Sequence, residues 1–313
     1  MPLVFLAGFL LTAVVSRAVL QNVEMIGWIP WFFQDTDHIP LESESYLAYE
    51  NGGLDHLVLF HQLDDSIAHA RDVDVLILGN SRALYGFPQM ELKRFQEKTG
   101  LKVFNLSFSW GEKMNFPLKI IQKFQLNPKY VIVNTDGFFD PESSIGSIEA
   151  FALSRWAARK RVFEKQSSWE LRQRIHRILP KFYFNTDPPY RIIYRSPMDG
   201  SWLPLSGPDQ DVPVHVWRNP YWKMSSLTVN SAEQFLSQIG LPRSSVILTL
   251  VPYPGHDDRL IKQLAETTGL PTILYSESNL RSNDGSHLDS DSGIKFATYF
   301  FREFSGILEG RPQ

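Results

Sequence analysis

The feature that most constrains the fold is an alternation, from residue 73 onward, of short apolar runs with longer segments of helical periodicity. The predicted strands are residues 73–78, 102–106, 130–134, 245–251 and 272–275, and the predicted helices are 88–99, 114–124, 231–239, 257–268 and 293–308. Short apolar strands separated by amphipathic helices are typical of parallel sheets. The sequence therefore predicts an α/β fold with helices on both faces of a parallel sheet.

The stretch between about residues 140 and 230 interrupts this alternation, and we interpret it as an insertion in the α/β domain. A basic segment of helical character, about 148–179, is followed by loops rich in proline and aromatic residues at 187–190, 202–204 and 217–222. The basic segment is either an ordinary solvated face or a surface for anionic lipid or an acidic polymer. The aromatic loops either stack on sugar rings or pack the insertion.

The N-terminus carries an apolar stretch, residues 2–20, in which Arg17 is the first charge. It is just long enough for a membrane span, which needs about 20 residues. A signal-peptide core and a buried helix are the alternatives, but no basic flank precedes the stretch and Ser16-Arg17-Ala18 is a poor cleavage site. We favour a membrane anchor at residues 1–21 that leaves the main domain outside the cytoplasm, in the periplasm or at the cell surface.

The rest of the chain divides into two segments. Residues 22–70 are expected to be a linker and a leading helix: residues 34–55 are polar and acidic, with little regular structure expected, and 56–70 are expected to be helical. Residues 71–308 are expected to form the α/β domain that contains the insertion.

Composition excludes several functional classes. The chain has no cysteine, which removes disulfides, thiolate zinc sites and cysteine nucleophiles. Its formal net charge of −3 provides no basic excess for binding phosphates, so a nucleic-acid partner is not expected. Hydrophobic residues make up 43% of the chain, which is enough for a sizeable core.

Two short segments about two hundred residues apart predict the chemistry. Ser81 follows the first strand of the alternation at its carboxyl end, where open parallel sheets bind ligands. Asp284 and His287 lie three residues apart between the last strand and the last helix, which places them at the same sheet edge. This placement predicts acyl transfer to or from an ester, with Ser81 as nucleophile, His287 as base and Asp284 as the carboxylate that orients the imidazole.

Each segment also has a simpler interpretation. An Asn-Ser pair before a helix is a common helix cap, and Asp-x-x-His is often a cap or a surface pair. Among the other histidines, His256, followed by Asp257 and Asp258, is the main competitor as a metal or base site.

Four blocks, in this order, resemble those of the SGNH/GDSL hydrolase superfamily: Gly79-x-Ser81 after a strand, residues 105–111, residues 131–136, and Asp284-x-x-His287. The resemblance covers roughly residues 71–139 and 231–308. It implies a flavodoxin-like three-layer α/β/α sandwich and the activity of an esterase, lipase or O-acyltransferase. It implies no metal and no organic cofactor.

The resemblance also implies the roles of single residues. Ser81 would be the nucleophile and Asp284 and His287 would complete the triad, while the backbone N–H groups of Ser81 and Gly111 and the side chain of Asn134 would bind the oxyanion. Two departures stand out. Asn80 occupies the position of the usual aspartate, and Asn134-Thr135-Asp136 is offset and lacks the family's leading glycine. The second departure leaves open the alternative that the oxyanion hole has only two hydrogen-bond donors.

A looser likeness, which includes the apolar N-terminus, is to the extracytoplasmic SGNH-like proteins of alginate acetylation and teichoic-acid D-alanylation, which work beside a membrane-bound O-acyltransferase. The leading expectation is a membrane-anchored enzyme that moves an acyl group, such as acetyl, to or from a hydroxyl of a cell-envelope polysaccharide. Its partners would be an acylated carbohydrate or another acyl donor and, through the N-terminus, the membrane. The alternatives are a simple esterase or lipase, and a non-catalytic scaffold that recruits a membrane-bound O-acyltransferase.

Overall fold

The computed structural model describes residues 45–49, 53–109, 111–140, 142–178, 193–204, 212–214, 226–277 and 279–310. The expected membrane anchor at residues 1–21 lies outside these ranges. Within them, no helix is both long enough and apolar enough to cross a bilayer.

The strands and helices alternate along most of the described chain. The strands are β1 (Tyr46–Tyr49), β2 (Val75–Leu78), β3 (Val103–Asn105), β4 (Tyr130–Asn134), β5 (Ile193–Arg195), β6 (Trp202–Pro204), β7 (Val212–Pro213), β8 (Val246–Leu250), β9 (Thr272–Leu274) and β10 (Arg281–Ser282). The helices are α1 (Asp55–His61), α2 (Ser66–Arg71), α3 (Ser81–Gly86), α4 (Gln89–Thr99), α5 (Asn115–Phe124), α6 (Ile145–Ala152), α7 (Arg155–Ile178), α8 (Ser226–Ile239), α9 (Arg259–Thr268) and α10 (Ser290–Leu308).

Five strands form one parallel sheet in the order β3-β2-β4-β8-β9. Counted along the chain, this order is 2-1-3-4-5. The chain therefore winds outward in one direction from β2 to β3 and in the other from β4 onward. The carboxyl ends of β2 and β4 border the crevice where such sheets bind ligands. The predicted parallel α/β sheet is confirmed.

Apolar side chains cover both faces of this sheet. Along β2, Leu76 and Leu78 belong to one buried cluster, whereas Val75 and Ile77 belong to another. The second cluster includes Phe296 of α10, together with other apolar residues of α4 and α10. Because successive side chains of a strand point to opposite faces, the two clusters are two separate helix–sheet layers. The arrangement is consistent with a three-layer sandwich.

The predicted helix at residues 56–70 is two helices, α1 and α2. Gln62 ends α1 in a left-handed conformation, with φ of 51°. The carboxylate of Asp64 then accepts hydrogen bonds from the backbone N–H and the hydroxyl of Ser66, at 3.1 and 2.7 Å. These bonds favour the start of a second helix at Ser66. Periodicity alone did not reveal this break.

The predicted basic helix at about 148–179 is likewise two helices, α6 and α7. Leu153 is extended, with φ of −86° and ψ of 146°, and interrupts the helical path. Ser154 then begins α7, since its Oγ accepts the backbone N–H of Ala157 at 3.3 Å. The basic residues therefore lie on α7, after the break.

The insertion forms a small sheet with a segment from before the α/β domain. β5 pairs with β1 and β6 in an antiparallel sheet of three strands, and β7 pairs with β10. β1 lies within residues 34–55, so the expectation of little regular structure there is wrong for residues 46–49. The error has a plain cause, because the partner of this strand is about 145 residues away in sequence and no local pattern announces it.

Candidate active site

The turn after β2 places Ser81 as the first residue of α3. Gly79 is needed because a Cβ atom there would lie 2.8 Å from Cβ of Asn134 and 3.0 Å from Cβ of Ala83. Asn80 caps the helix, and its Oδ1 accepts the backbone N–H of Arg82 at 3.0 Å. The cap is therefore Asn80, which leaves the hydroxyl of Ser81 to face other groups.

Ser81, His287 and Asp284 form one hydrogen-bonded chain. His287 Nε2 lies 2.8 Å from Ser81 Oγ, across 206 positions of sequence. His287 Nδ1 lies 2.7 Å from Asp284 Oδ2. With Nδ1–H donating to the carboxylate, Nε2 is the acceptor that faces the serine hydroxyl. This is the order of contacts that a nucleophile, a base and an orienting carboxylate need.

The loop that carries Asp284 holds this carboxylate ionised. Asp284 Oδ1 accepts the backbone N–H groups of Ser286 and His287 at 2.8 and 2.7 Å. Partial burial by itself would raise the pKa of Asp284, but the hydrogen bonds and the charge of His287, together with the two N–H groups, outweigh it and hold the pKa well below its usual range. Whenever the imidazole of His287 carries a single proton, the ionised Asp284 holds that proton on Nδ1.

Aromatic rings pack against the imidazole. The ring of Tyr85, on α3, lies 4.6 Å from the ring of His287, and Trp202 of β6 lies 6.0 Å beyond Tyr85. Trp202 is buried. This aromatic residue of the insertion therefore packs in the core and does not present an open surface on which a sugar ring could stack. Gly293 of α10 brings its helix close to α3, since a Cβ there would lie 2.6 Å from the backbone oxygen of Tyr85.

Arg82 connects the serine helix to the histidine loop. Its Nε and Nη2 donate to the backbone oxygen and the Oγ of Ser286 at 3.0 and 3.1 Å. Its Nη1 pairs with the carboxylate of Asp136, which follows β4. The guanidinium also stacks on Tyr253, with Cζ 3.8 Å from the ring centre. One side chain thus joins three loops at the carboxyl edge of the sheet. Sequence reasoning assigned Arg82 no role, because a single arginine after a serine is not a recognisable signal.

Asn134 and Asn80 lie side by side beneath the serine turn. Asn134 Nδ2 donates to Asn80 Oδ1 at 3.3 Å, and Asn134 Oδ1 accepts the backbone N–H of Val251 at 2.9 Å. Asn80 Nδ2 donates in turn to Asp136 Oδ2 at 2.6 Å. The amide group of Asn134 has two hydrogens, and one of them is used in the hydrogen bond to Asn80. Only the other one can be donated to an oxyanion. Its role as third donor stays a prediction.

The backbone supplies the other two expected oxyanion donors. Ser81 begins α3, and the first N–H groups of a helix have no acceptor within the helix. Gly111 lies in the loop after β3, the strand that neighbours β2 in the sheet. Its φ is 61°, and the space that a Cβ atom would occupy is open. Phe108 of this loop donates its N–H to the oxygen of Gly79 at 3.1 Å, which anchors the loop to the serine turn. The role of Gly111 stays a prediction.

A buried ionic cluster lies under the same loop, and sequence reasoning missed it. His56 is fully buried between two carboxylates, 3.0 Å from Asp55 Oδ1 and 2.7 Å from Glu112 Oε2. Arg195, also fully buried, lies 3.2 Å from Asp55 Oδ2 and donates to the oxygen of Asn105 at 2.6 Å. Burial alone would lower the pKa of His56, but Asp55 and Glu112 raise it to about 9. The cluster therefore places a histidine and an arginine in direct contact with two carboxyl groups in the core.

The competing histidine, His256, has an ordinary structural role. Its Nδ1 lies 2.7 Å from the backbone oxygen of Tyr253, and Asp257 pairs with Arg259. Among the residues with described positions, no group of three or more His, Asp or Glu side chains is placed to hold a metal ion.

Comparison with known proteins gives no further guide to the site. No protein family, no curated protein and no solved structure matches the chain.

Proposed function

We propose that this protein is a serine esterase or O-acyltransferase of the SGNH type. The observation that carries the proposal is the continuous chain from Ser81 Oγ through His287 to Asp284, with successive distances of 2.8 and 2.7 Å. Chance surface pairs rarely extend to a third group that fixes the tautomer of the base. The sheet order 2-1-3-4-5 and the position of Ser81 at the crevice support a flavodoxin-like sandwich of this kind.

The reaction would proceed through an acyl-serine. Ser81 Oγ attacks the acyl carbonyl carbon while its proton passes to His287 Nε2. The tetrahedral intermediate then collapses, the bond to the leaving oxygen breaks, and that oxygen takes the proton from His287. A second hydroxyl, from water or a sugar, next loses its proton to His287 and attacks the acyl carbon. The bond from that carbon to Ser81 Oγ then breaks, and Oγ takes the proton back from His287. Asp284 stabilises the imidazolium in both halves.

The negative oxygen of the intermediate needs donors that are already in place. The N–H of Ser81 is the first, and we assign the second to Gly111. Loss of one such donor typically costs about 10²–10³ in rate, so a missing third contact from Asn134 would slow the enzyme without abolishing its chemistry.

The acceptor class rests on the sequence. An apolar stretch at residues 2–20 would hold the domain at a membrane, outside the cytoplasm, where hydroxyls of envelope polysaccharides are the abundant acceptors. Such hydroxyls would accept the acyl group. We propose that the acyl group itself comes from an acylated carbohydrate or from a donor that a membrane-bound O-acyltransferase supplies.

A non-catalytic scaffold is the second candidate, and one observation favours it. Asn134, the expected third oxyanion donor, is engaged with Asn80 and Val251. A scaffold would keep the fold and recruit the acyltransferase without forming an acyl-serine.

Intact mass after treatment with a fluorophosphonate tests the proposal. The full chain in detergent should gain one adduct, and Ser81→Ala should gain none although it folds. Ser237→Ala, at an exposed serine of α8, is the control and should react like the native chain. No adduct on the folded native chain would favour the scaffold. Partition of an acetyl group from a small activated ester between water and oligosaccharides then separates hydrolase from transferase.

A further inference from the structure

The exposed apolar side chains of this protein are concentrated on two consecutive helices. Six large hydrophobic residues of the described chain are exposed, and four of them lie within 19 positions. They are Ile145 and Ile148 on α6, exposed by 76% and 57%, and Trp156 and Phe163 on α7, exposed by 73% and 41%. Scattered exposed apolar residues are normal, whereas contiguous ones are typical of an interaction surface, and the ion pair between Arg161 and Glu149 brings the two helices together.

On each helix these residues point away from the core. In α7, Ala158 is buried and Val162 packs against the core cluster, whereas Trp156, Lys160 and Phe163 recur at the spacing i, i+4, i+7 on the opposite side. In α6, Gly146, Ser147 and Ala150 are the buried residues, and Ile145, Ile148 and Ala152 lie on the other side. No residue of these two faces contributes to the core.

Arg159 and Lys160 lie beside the exposed apolar side chains of α7. Residues 145–165 contain five lysines and arginines against two glutamates, although the whole chain has a formal net charge of −3. Lys160 Nζ lies 5.7 Å from the ring centre of Trp156. Arg161 pairs with Glu149 and Lys160 Nζ lies 3.8 Å from Glu164 Oε1, but Arg159 is exposed and forms no ion pair with another residue of the described ranges. The patch therefore keeps unneutralised positive charge.

We propose that this face, the α6–α7 face, lies against a bilayer surface that contains anionic lipid. An exposed tryptophan, exposed aliphatic side chains and neighbouring basic residues are the composition of interfacial helices. An acidic polysaccharide would use the cations and could stack on Trp156, but it offers nothing to Ile145 and Ile148. The lipid surface accounts for both halves of the patch.

The absence of cysteine makes a local test possible. Ala152→Cys places a single thiol on the α6–α7 face, and Gln263→Cys places one on an exposed position of α9. Each full-length chain is labelled with an environment-sensitive dye and mixed with vesicles of phosphatidylcholine, with or without phosphatidylglycerol. The dye reports contact of its own face, whether or not the N-terminal stretch attaches the chain.

We expect a blue-shifted, brighter emission from residue 152 with the phosphatidylglycerol vesicles, quenched by shallow spin-labelled lipid and reduced by salt. The dye at residue 263 should not respond. Arg159→Glu combined with Lys160→Glu should lower the apparent affinity for the anionic lipid about 30-fold or more, because each basic residue near such a surface contributes roughly 1 kcal/mol. Lys98→Glu with Lys262→Glu changes the net charge equally, away from the face, and should have little effect.

Two results would overturn the proposal. One is an equal response of the dye at residues 152 and 263, which would mean that the vesicle surface has no preference for the α6–α7 face. The other is a response at residue 152 to soluble alginate but not to vesicles, which would assign the face to an acidic polymer. Ser81→Ala should not alter the response, so the outcome does not depend on the proposed enzymatic activity.

Discussion

His56 and Glu112 lie in direct contact, with 2.7 Å between Nε2 and Oε2, in a part of the core that solvent does not reach. The pair joins α1 to the loop that follows β3, across 56 positions of sequence. Glu112 is the next residue after Gly111, the expected oxyanion donor. The charge state of a buried histidine is therefore connected to the geometry of a loop at the candidate active site.

Stability should fall as the pH rises through the titration of His56. Its pKa is about 9 in the folded protein and 6.5 in the unfolded chain, so between these values the native state holds a proton that the unfolded state has lost. The contribution is fully present below about pH 6.5 and is lost as the pH rises to about 9. It amounts to on the order of 3 kcal/mol. Denaturant unfolding of the native chain from pH 6 to 9.5 measures it.

Two variants isolate this contribution. His56→Gln should be less stable at pH 6 and should show a much flatter dependence on pH. His69→Gln, at a partly exposed histidine of α2, should keep the slope of the native chain. An unchanged slope in His56→Gln would assign the pH dependence to other groups.

Asp284→Asn should remove most of the proposed esterase activity and leave the fold intact. The amide cannot stabilise the imidazolium, and its NH₂ group can favour the tautomer whose proton is on Nε2 rather than Nδ1. Loss of such a carboxylate lowers kcat by about 10⁴ in a well-studied triad enzyme. The measurement is kcat for a small activated ester. Asp291→Asn, at an exposed carboxylate in the first turn of α10, is the matched control and should change kcat little. Equal activity in the two variants would contradict the triad.

Arg82→Lys should lower kcat about 10- to 100-fold with little change in KM. Lysine is a point charge and cannot replace the contacts of the guanidinium to Ser286 and Asp136 together. The histidine loop would then shift relative to Ser81, and small displacements of catalytic groups are costly. The rate of fluorophosphonate labelling should fall in parallel. Arg94→Lys, on the exposed side of α4, is the control. A change in KM alone would mean that Arg82 binds substrate instead of positioning the triad.

Asn80→Asp, which restores the residue usual in the resembling family, should destabilise this protein. Asn80 Nδ2 donates to Asp136 Oδ2 at 2.6 Å, so a carboxylate would replace a hydrogen bond with repulsion. We expect a loss of about 1–3 kcal/mol at neutral pH, partly regained near pH 4 as one carboxyl takes up a proton. Denaturant unfolding at the two pH values gives the comparison.

The exchange of the two side chains provides the control. Asn80→Asp combined with Asp136→Asn again places an amide opposite a carboxylate, and it should recover part of the stability lost in the single variant. If the double variant is no more stable than Asn80→Asp, the repulsion is not the cause.

The regular part of the fold could be predicted because its signals are local. β4 has the predicted bounds, and the other strands of the parallel sheet differ from the prediction by at most two residues at either end. An apolar run identifies a buried strand wherever it lies in the sequence. β1, however, depends on β5 for its hydrogen bonds, and the breaks at Gln62 and Leu153 depend on single dihedral angles. Such features do not follow from periodicity.

The same distinction applies to the candidate site. Ser81, Asp284 and His287 could be found because strand ends of a parallel sheet meet at one edge and each segment carries a recognisable spacing. Arg82 could not, because its partners lie 54 and 204 positions away. His56 could not either, because only one of its carboxylates, Asp55, is adjacent in sequence and the other, Glu112, is 56 positions away. A buried histidine has no signature in sequence until the carboxylates that charge it are located.

The 206 positions between nucleophile and base have a consequence for how the protein is made. Ser81 is synthesised early, whereas His287 and α10, which docks against α3 through Gly293, come near the end of the described chain. During synthesis the serine therefore has no histidine beside it and stays an ordinary alcohol. The contact between Ser81 and His287 forms only when the last helix joins the fold, so partly made chains cannot hold the expected nucleophile and base together.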